Sequence, residues 1–414
     1  MHLLYGGHVA DASGTRRADV AIEDGRISAV GPDDPALDVE TAETVTDVSG
    51  KYVAPGVIDS HVHLPMDGRP DVEEYLEDTA YMASYRAAEN LQTALSAGVT
   101  TVRELGSRDT LAIDAAAAVA EGTIEGPTVV PAGENVVMTG GHGYWFGREA
   151  DGVPEIRKAV REQLKAGAEV IKCMATGGVL TSGAQTGAPE LTPEELEALV
   201  ETASAKGIPT AAHAHGDRGI ENAVRAGITS IEHGTFMSRE TAALMAQRGT
   251  YWVPTASALR GIVEHGVDAG IPEEAVAKAE EAAEAFGTAF ENALSAGVTV
   301  AMGTDAGTPF NFFGDIPREL SYMVEYGMTP AGALEAATVN AAELLGLDDV
   351  GRVESGYRAD LVILEEDPNA DATAWQSTTA VYKGGSTVRC GTDGSQSRWY
   401  GDDGPHGGGE TEAF

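Results

Sequence analysis

Short apolar and polar runs alternate along the first 54 residues, for example in Asp19–Ile22 and Arg26–Val30, and turn residues separate them. Alternation with a period of two between turn residues indicates β-strands. The same texture returns after residue 352, where Ala359–Leu364 and Ala380–Lys383 are the strand-like runs. We therefore predict a small β-sandwich domain built from two separate segments, residues 1–54 and 347–390.

Between residues 55 and 346, alanine-rich amphipathic segments alternate with brief apolar runs. At several joins a glycine follows the end of an amphipathic segment and an apolar run begins directly after it: Gly98, Gly167, Gly207, Gly227, Gly249 and Gly297. Glycine readily takes the left-handed conformation that ends a helix. Repeated helix stops of this kind predict repeated αβ units.

Repeated αβ units over this length leave two architectures, a closed (β/α)8 barrel or a doubly wound open sheet. No G-x-G-x-x-G motif follows an early strand, which disfavours the dinucleotide-binding form of the open sheet. We predict the fold class α/β, with a (β/α)8 TIM-like barrel over residues 55–346. The last segment, residues 391–414, is rich in glycine and acidic residues, and we predict a flexible tail there.

The chain has 414 residues, of which 43% are hydrophobic, enough for one large core and a smaller second one. Its 27 lysine and arginine residues face 65 acidic residues, which gives a formal net charge of -38. Nucleic acids and anionic membranes need basic patches, so this charge disfavours both as partners. We interpret the excess of carboxylates as a halophilic adaptation, and we expect instability at low salt because the charges are then unscreened.

The two cysteines, Cys173 and Cys390, do not suggest a disulfide framework. The N-terminal sequence Met1–Gly14 lacks the basic and apolar regions of a signal peptide, and no apolar run reaches the roughly 18 residues of a membrane span. From these features we expect a cytoplasmic protein.

The most distinctive local pattern is the apolar run Val57–Val62, which contains His61 and is followed by His63. Residues i and i+2 of a strand point to the same face, so both imidazoles are expected together at the mouth of the barrel. Imidazole pairs of this kind suit zinc and similar divalent ions. Taken alone, a chance pair of histidines explains the motif equally well.

Later strands predicted from the glycine pattern end in residues that suit metal chemistry: Lys172, His213, His233 and Asp305. Catalytic residues of (β/α)8 barrels collect at the C-terminal ends of the strands. An unpaired ammonium group is costly in an apolar strand, which disfavours a merely structural role for Lys172. The coincidence of so many such strand ends indicates a metal site rather than chance.

These motifs resemble those of the amidohydrolase superfamily: H-x-H, a later lysine, two separated histidines and a final Gly-Thr-Asp-Ala-Gly. The segments Ala175–Gly178, Ala212–Gly216, Ile231–Gly234 and Gly303–Gly307 are similar to the branch that contains Xaa-Pro dipeptidases and imidazolonepropionases. The resemblance covers Gly6–Arg389, and it is more specific for the metal site than for the substrate.

The resemblance implies that His61, His63 and Asp305 hold one divalent metal ion and that His213 and His233 hold a second. Lys172, carboxylated by CO2, would bridge the two ions, because a carbamate supplies two anionic oxygens where a protonated lysine would be repelled. Zinc is the expected metal, and manganese, cobalt and iron are the alternatives. Asp305 and Lys172 are the expected catalytic residues.

Further residues are candidates for contact with the substrate: His142, His215 and Tyr144. His215 shares a face with His213 two residues earlier, so it is also an alternative metal ligand. His142 stands among glycines in a loop, which suits a lid over the substrate, and an ordinary exposed loop is the competing interpretation.

Arg103 and Glu104 follow the strand-like run Thr100–Val102. We expect them to form an internal ion pair, with contact to the substrate as the alternative. The remaining histidines have no such context and are given no role: His2, His8, His265 and His406.

The resemblance implies a hydrolase that cleaves a C–N amide bond of a small molecule with a metal-bridging hydroxide. The expected substrate is a dipeptide of the Xaa-Pro type or an N-acyl amino acid, and a cyclic amide such as imidazolonepropionate is the alternative. A non-catalytic scaffold with the same fold is an alternative of another class. Because relatives are often assemblies of barrels, the resemblance also implies a homo-oligomer.

Overall fold

The computed structural model describes residues 1–32, 37, 39–183 and 185–390, with only the backbone at 389 and 390. The segment predicted to be a flexible tail, residues 391–414, lies outside these described residues. Among the described residues, no helix combines the length and the apolar character needed to cross a membrane.

The N-terminal part of the chain forms β1 to β7, which are His2–Tyr5, His8–Asp11, Gly14–Arg17, Asp19–Glu23, Arg26–Gly31, Thr44–Asp47 and Tyr52–Pro55. Strands and helices then alternate: β8 Val57–Val62, α1 Ala80–Ser96, β9 Val99–Glu104, α2 Leu111–Ala120, β10 Thr128–Pro131, β11 Asn135–Val137, β12 Gly147–Glu149, α3 Gly152–Ala166, β13 Ile171–Met174, α4 Pro193–Ser204, β14 Thr210–Ala214, α5 Asp217–Ala226, β15 Ser230–His233, α6 Arg239–Arg248, β16 Tyr251–Val253, α7 Ala256–His265 and α8 Glu273–Ala296.

Helices α9 to α11 follow without a regular strand between them, at Ile316–Glu325, Pro330–Ala337 and Val339–Leu345. The chain then returns to strands with β17 Leu361–Leu364, β18 Thr378–Lys383 and β19 Ser386–Cys390. Short 3-10 helices lie at Val72–Leu76, Tyr144–Phe146, Val267–Ala269 and Ala372–Ser377.

The first and last segments of the chain share a sheet, because β17 pairs antiparallel with β7. That sheet has the strand order β19-β18-β17-β7-β2-β3, and a second one has the order β5-β4-β1-β6. Apolar side chains from both segments form one cluster, in which Leu4 and Val53 lie with Leu361 and Ile363. The two ends of the sequence therefore meet in space, although most of the chain separates them.

The middle of the chain is α/β, with parallel strands and intervening helices, as the sequence indicates. Its sheets have the orders β10-β9-β8 and β12-β11-β13-β14-β15-β16, and their pairings are parallel. Backbone hydrogen bonds also run from Glu169 N to the Pro131 carbonyl (2.8 Å) and from Trp252 N to the Thr299 carbonyl (2.9 Å). A further one joins Ser60 N to the Met302 carbonyl (2.9 Å), so the segment after α8 lies beside β8.

The glycine pattern is confirmed as a set of helix stops. All six glycines have positive φ, from 68° at Gly249 to 116° at Gly167. A side chain with a Cβ atom rarely adopts this conformation, which is why glycine is found at these positions.

The predicted strand that ends at Asp305 is not a regular strand, and that prediction was wrong in detail. The segment touches its neighbours through isolated bridges, Trp252 to Val300 and Val62 to Ala306. Asp305 N donates to the His61 carbonyl at 2.7 Å, and the Asp59 carboxylate accepts hydrogen bonds from Thr304 N (3.0 Å) and Thr304 Oγ1 (2.6 Å). Backbone and side-chain hydrogen bonds to β8 therefore set the position of Asp305 together.

Candidate active site

The residues predicted as metal ligands line one cavity: His61, His63, Lys172, His213, His233 and Asp305. They come from β8, β13, β14, β15 and the segment after α8, and each is at most 8% exposed. The C-terminal ends of neighbouring parallel strands lie at the same edge of a sheet, which explains why residues so distant in sequence meet here.

The Nδ1 atoms of His61 and His63 face groups that can only accept a hydrogen bond. His61 Nδ1 lies 2.9 Å from a carboxylate oxygen of Glu232, and His63 Nδ1 lies 3.1 Å from the Gly106 carbonyl. Each Nδ1 therefore carries a proton and donates it. Burial lowers the pKa of His61 to about 4, so this ring is neutral near pH 7 and its lone pair is on Nε2.

His233 is oriented in the same way by a neutral partner. The Thr255 hydroxyl donates to the Pro254 carbonyl at 2.6 Å, so its oxygen accepts from His233 Nδ1 at 2.7 Å. The lone pair of His233 is again on Nε2. His233 and Thr255 both have left-handed backbones, with φ of 67° and 56°, and the surrounding structure holds this unusual conformation in place.

Asp305 lies beside the Nε2 atoms of the first two histidines. Asp305 Oδ1 lies 3.4 Å from His61 Nε2 and 3.2 Å from His63 Nε2. Because His61 Nε2 carries no proton, its contact is not a hydrogen bond, and Asp305 Oδ1 has no hydrogen-bond partner among the described residues. His213 Nε2 is also buried without one. A divalent cation satisfies such a set of facing lone pairs, so the residues present fit a metal centre.

Two groups of side chains place their ligand atoms within 4.8 Å of one another: His61 with His233 and Asp305, and His213 with His215 and His233. His215 Nδ1 lies 2.7 Å from Thr235 Oγ1, and its ring stacks on that of His233 with centroids 4.9 Å apart. The structure therefore brings both His213 and His215 to the site, and it does not choose between them as ligands.

Lys172 is 1% exposed, and the charges of Glu232 and Asp305 act on it. Burial lowers its pKa to about 8, although the nearby charges of Glu232 and Asp305 raise it. A lowered pKa makes the uncharged amine more available, and only that form can react with CO2 to give a carbamate.

Arg103 does not pair with Glu104, and the expectation of that ion pair was wrong. The Arg103 guanidinium lies 3.0 Å and 3.1 Å from the two carboxylate oxygens of Glu232 and donates to Ser230 Oγ at 3.0 Å. Adjacent residues of a strand point to opposite faces, so Arg103 and Glu104 cannot share a partner. Neither residue lines the cavity, which also disfavours contact with the substrate.

Two of the three predicted substrate contacts reach the cavity, namely His142 and His215. The loop between β11 and β12 carries His142, whose Nδ1 lies 2.6 Å from Thr181 Oγ1 and whose ring centroid is 4.3 Å from that of His213. Tyr144 is 45% exposed and is absent from the described lining, whereas Trp145 and Phe146 line the cavity. Successive residues of the 3-10 helix point about 120° apart, which explains the difference.

The sequence analysis missed residues that hold the ligands in place: Asp59, Glu232, Thr235 and Thr255. Glu232 and Asp59 each lie one or two residues from a predicted ligand, but sequence spacing does not reveal which face of the site they support. His2, His8 and His265 lie outside the cavity lining, and His406 lies outside the described residues.

Comparison with known proteins gives similarity over nearly the whole chain. Residues 52–388 match the model of the amidohydrolase family. Ochratoxinase from Aspergillus niger is 32% identical and covers 94% of this chain and 86% of its own length. Imidazolonepropionase from Mycolicibacterium smegmatis is 26% identical, with 84% and 85% of the two chains covered.

Among solved structures, a Xaa-Pro dipeptidase with bound methionine superimposes with a TM-score of 0.88 at 32% identity, covering 93% of this chain and 99% of the other. The branch named from the motifs is thus confirmed. The family is generally metal-dependent, which agrees with the histidine and aspartate cluster described above. The chain belongs to the amidohydrolase family, and it is a hydrolase that acts on amide bonds.

Proposed function

We propose that this enzyme hydrolyses the amide bond of a dipeptide of the Xaa-Pro type or of an N-acyl amino acid, with two divalent metal ions. The observation that carries this proposal is the buried meeting of His61 Nε2, His63 Nε2 and Asp305 Oδ1, where the carboxylate oxygen has no hydrogen-bond partner among the described residues. The similarity to a Xaa-Pro dipeptidase supports the substrate class. A cyclic amide is the second candidate, supported by the similarity to imidazolonepropionase.

The proposed ligand set follows the orientation of the rings. His61, His63 and Asp305 would hold one ion, and His213 and His233 would hold the other. Carboxylated Lys172 would supply anionic carbamate oxygens to both ions. Zinc suits these nitrogen and oxygen donors, as do manganese, cobalt and iron.

Bound divalent ions would lower the pKa of water to about 7 and would polarise a carbonyl oxygen. Asp305 accepts a proton from the attacking water on its carboxylate and returns it to the nitrogen of the leaving amine. The bonds from Thr304 to Asp59 fix the backbone next to Asp305 and so position this carboxylate. His142 and His215 line the cavity, and burial lowers their pKa values to about 3 and about 4, so both rings are neutral near pH 7 and can form hydrogen bonds with a substrate.

We also infer the domain arrangement from the backbone contacts. The hydrogen bonds from Ser60, Glu169 and Trp252 to neighbouring segments favour closure of the parallel strands into a TIM-like barrel over residues 55–346. The two sheets around the shared apolar cluster favour a β-sandwich from residues 1–54 and 347–390.

The test measures metal per chain by elemental analysis, on protein prepared in molar salt with bicarbonate, together with hydrolysis of a panel of dipeptides and N-acyl amino acids. We expect about two divalent ions per chain and amide hydrolysis that is lost in Lys172→Ala. Lys158→Ala, at a lysine whose side chain is 67% exposed, is the matched control and should keep both. Absence of both metal and turnover in the unmodified chain would contradict the proposal and favour a non-catalytic scaffold.

A further inference from the structure

The cavity has two apolar walls beyond the ligand cluster. One, here called the Trp145 wall, consists of Met66, Val72, Trp145 and Phe146. The other, here called the α7 wall, consists of Leu259 and Ile262 from α7 and Phe286 from α8. Most of the cavity surface away from the ligands is therefore hydrocarbon.

These walls belong to different apolar clusters. Met66, Val72 and Trp145 form a small cluster with Phe146 packed against it, whereas Leu259, Ile262 and Phe286 belong to the main core. Leu180 packs against both clusters. Two apolar surfaces from separate clusters thus line the same cavity. Apolar surfaces that line a cavity without packing together typically mark a ligand site.

Charged groups are confined to the polar end of this cavity. Among the described residues that line it, Lys172 is the only lysine or arginine and Asp305 the only carboxylate, and both belong to the proposed ligand set. A charged substrate side chain between the walls would therefore lose its hydration without gaining a partner, which is costly.

We infer that the substrate carries large, uncharged apolar groups on both sides of its scissile amide, one against the Trp145 wall and one against the α7 wall. This inference rests on the proposed function and narrows its substrate class. A carboxylate next to the amide would lie at the polar end, near His142 and His215, while the side chain and the acyl group lie between the walls. The favoured class is N-acyl derivatives of aromatic or large aliphatic amino acids.

The first experiment compares kcat/KM for matched N-acyl amino acids. Hexanoyl-phenylalanine and hexanoyl-leucine are compared with hexanoyl-aspartate and hexanoyl-lysine, and succinyl-phenylalanine tests a charge on the acyl side. We expect the charged compounds to be poorer by at least about 100-fold, because a buried charge would be left unpaired. Equal rates for hexanoyl-phenylalanine and hexanoyl-aspartate would overturn the inference.

The second experiment places a charge in the α7 wall. Leu259→Lys should lower kcat/KM for hexanoyl-phenylalanine by at least about tenfold and raise it for hexanoyl-aspartate, since the new ammonium pairs with the substrate carboxylate. Val267→Lys adds the same charge at a side chain that is 51% exposed and outside the lining, and it should change neither value. Equal effects of the two variants would contradict the assigned wall.

A variant in the Trp145 wall keeps the inference testable if Leu259→Lys fails to fold. Trp145→Leu removes aromatic surface and should raise KM for the phenylalanine compound more than for the smaller acetyl-alanine.

If no amide is hydrolysed, the same panel is titrated calorimetrically against the unmodified full chain. Preferential binding of the apolar compounds would then uphold the inference while the proposed function fails, and equal binding of charged and apolar compounds would overturn it.

Discussion

Two buried glutamates lie near the site, and their environments give them different charges. Glu232 contacts His61, and we call His61, His63 and Asp305 the charged half of the site. Glu319 contacts the start of α7, which follows Thr255, the partner of His233, and we call His213, His215 and His233 the neutral half. Each glutamate is 0% exposed. Burial raises the pKa of Glu232, but the charge of Arg103 and the hydrogen bond from His61 outweigh it and give a pKa of about 2. Burial raises the pKa of Glu319 to about 7.

The contacts of the two carboxyl groups explain the contrast. Glu232 faces a guanidinium, whereas Glu319 accepts hydrogen bonds from neutral donors, the backbone N–H groups of Ala256 (2.9 Å) and Ser257 (2.7 Å) at the start of α7. That start directly follows Thr255, whose neutral hydroxyl orients His233. One half of the site thus depends on a charged network, and the other on neutral hydroxyls and a helix terminus.

The charged half should be the more sensitive in catalysis. We expect Asp305→Asn to lower kcat by about 10²- to 10⁴-fold, because an amide cannot accept and return the proton. Steady-state kinetics with the best substrate of the panel measures this effect. Elemental analysis of the same variant is the control, since a loss of metal would lower the rate for another reason. A near-normal kcat would reject the proton-transfer role of Asp305.

Removal of the Arg103 guanidinium should destabilise the charged half strongly. Arg103→Met leaves the Glu232 carboxylate buried without its partner, and we expect a loss of about 3–5 kcal/mol in the free energy of unfolding, measured with urea. The matched control is Arg225→Met, which removes an exposed ion pair with Glu221 and should cost no more than about 1 kcal/mol. Restoration of much of the loss in the double variant Arg103→Met with Glu232→Gln would show that the unpaired charge is the cause.

The sequence predicts which residues line the site better than it predicts which residues hold them in place. His61, His63, Lys172, His213 and His233 lie at or near strand ends, which glycine stops and apolar runs reveal. The partners of these ligands depend on which side chains face each other across different strands. The bond between Glu232 and His61, for example, joins residues 171 positions apart.

Local geometry also limits what the sequence can predict. Tyr144 was expected at the substrate, yet the 3-10 helix turns Trp145 and Phe146 toward the cavity instead. Asp305 was expected at the end of a regular strand, but its segment touches β8 only through isolated backbone bonds, to which Asp59 adds side-chain bonds. Periodicity describes regular elements, and both of these cases depend on irregular ones.

Glu319, beside the neutral half, should make the stability of the protein depend on pH. The pKa of Glu319 is higher in the folded chain, about 7, than the ordinary value of 4.5. The unfolded chain therefore ionises first, so stability is full below about pH 4.5 and falls as the pH rises toward 7. Glu319→Gln cannot ionise, and its stability relative to the unmodified protein should rise by about 2–3 kcal/mol between pH 4.5 and 8.

Urea unfolding of the two proteins at a series of pH values measures this difference. The buried glutamine amide changes the free energy of unfolding by an amount that does not vary with pH. The result is therefore the slope, against pH, of the difference in the free energy of unfolding between the two proteins. If the two stability curves ran parallel, the pKa of Glu319 would not be raised in the folded chain. Glu319 would then be charged near pH 7 like Glu232, and the contrast between the halves would disappear.

The smallest effect concerns the threonine hydroxyls of the neutral half. Thr255→Val removes the acceptor for His233 Nδ1 while keeping the shape of the side chain, and we expect metal affinity to fall about tenfold. Thr235→Val makes the same change behind His215, which is outside the proposed ligand set, and should leave metal affinity unchanged. Competition with a chelator measures both. A loss of affinity in Thr235→Val would instead identify His215 as a metal ligand, and the neutral half would then bind metal through the residue that the sequence left as the alternative to His213.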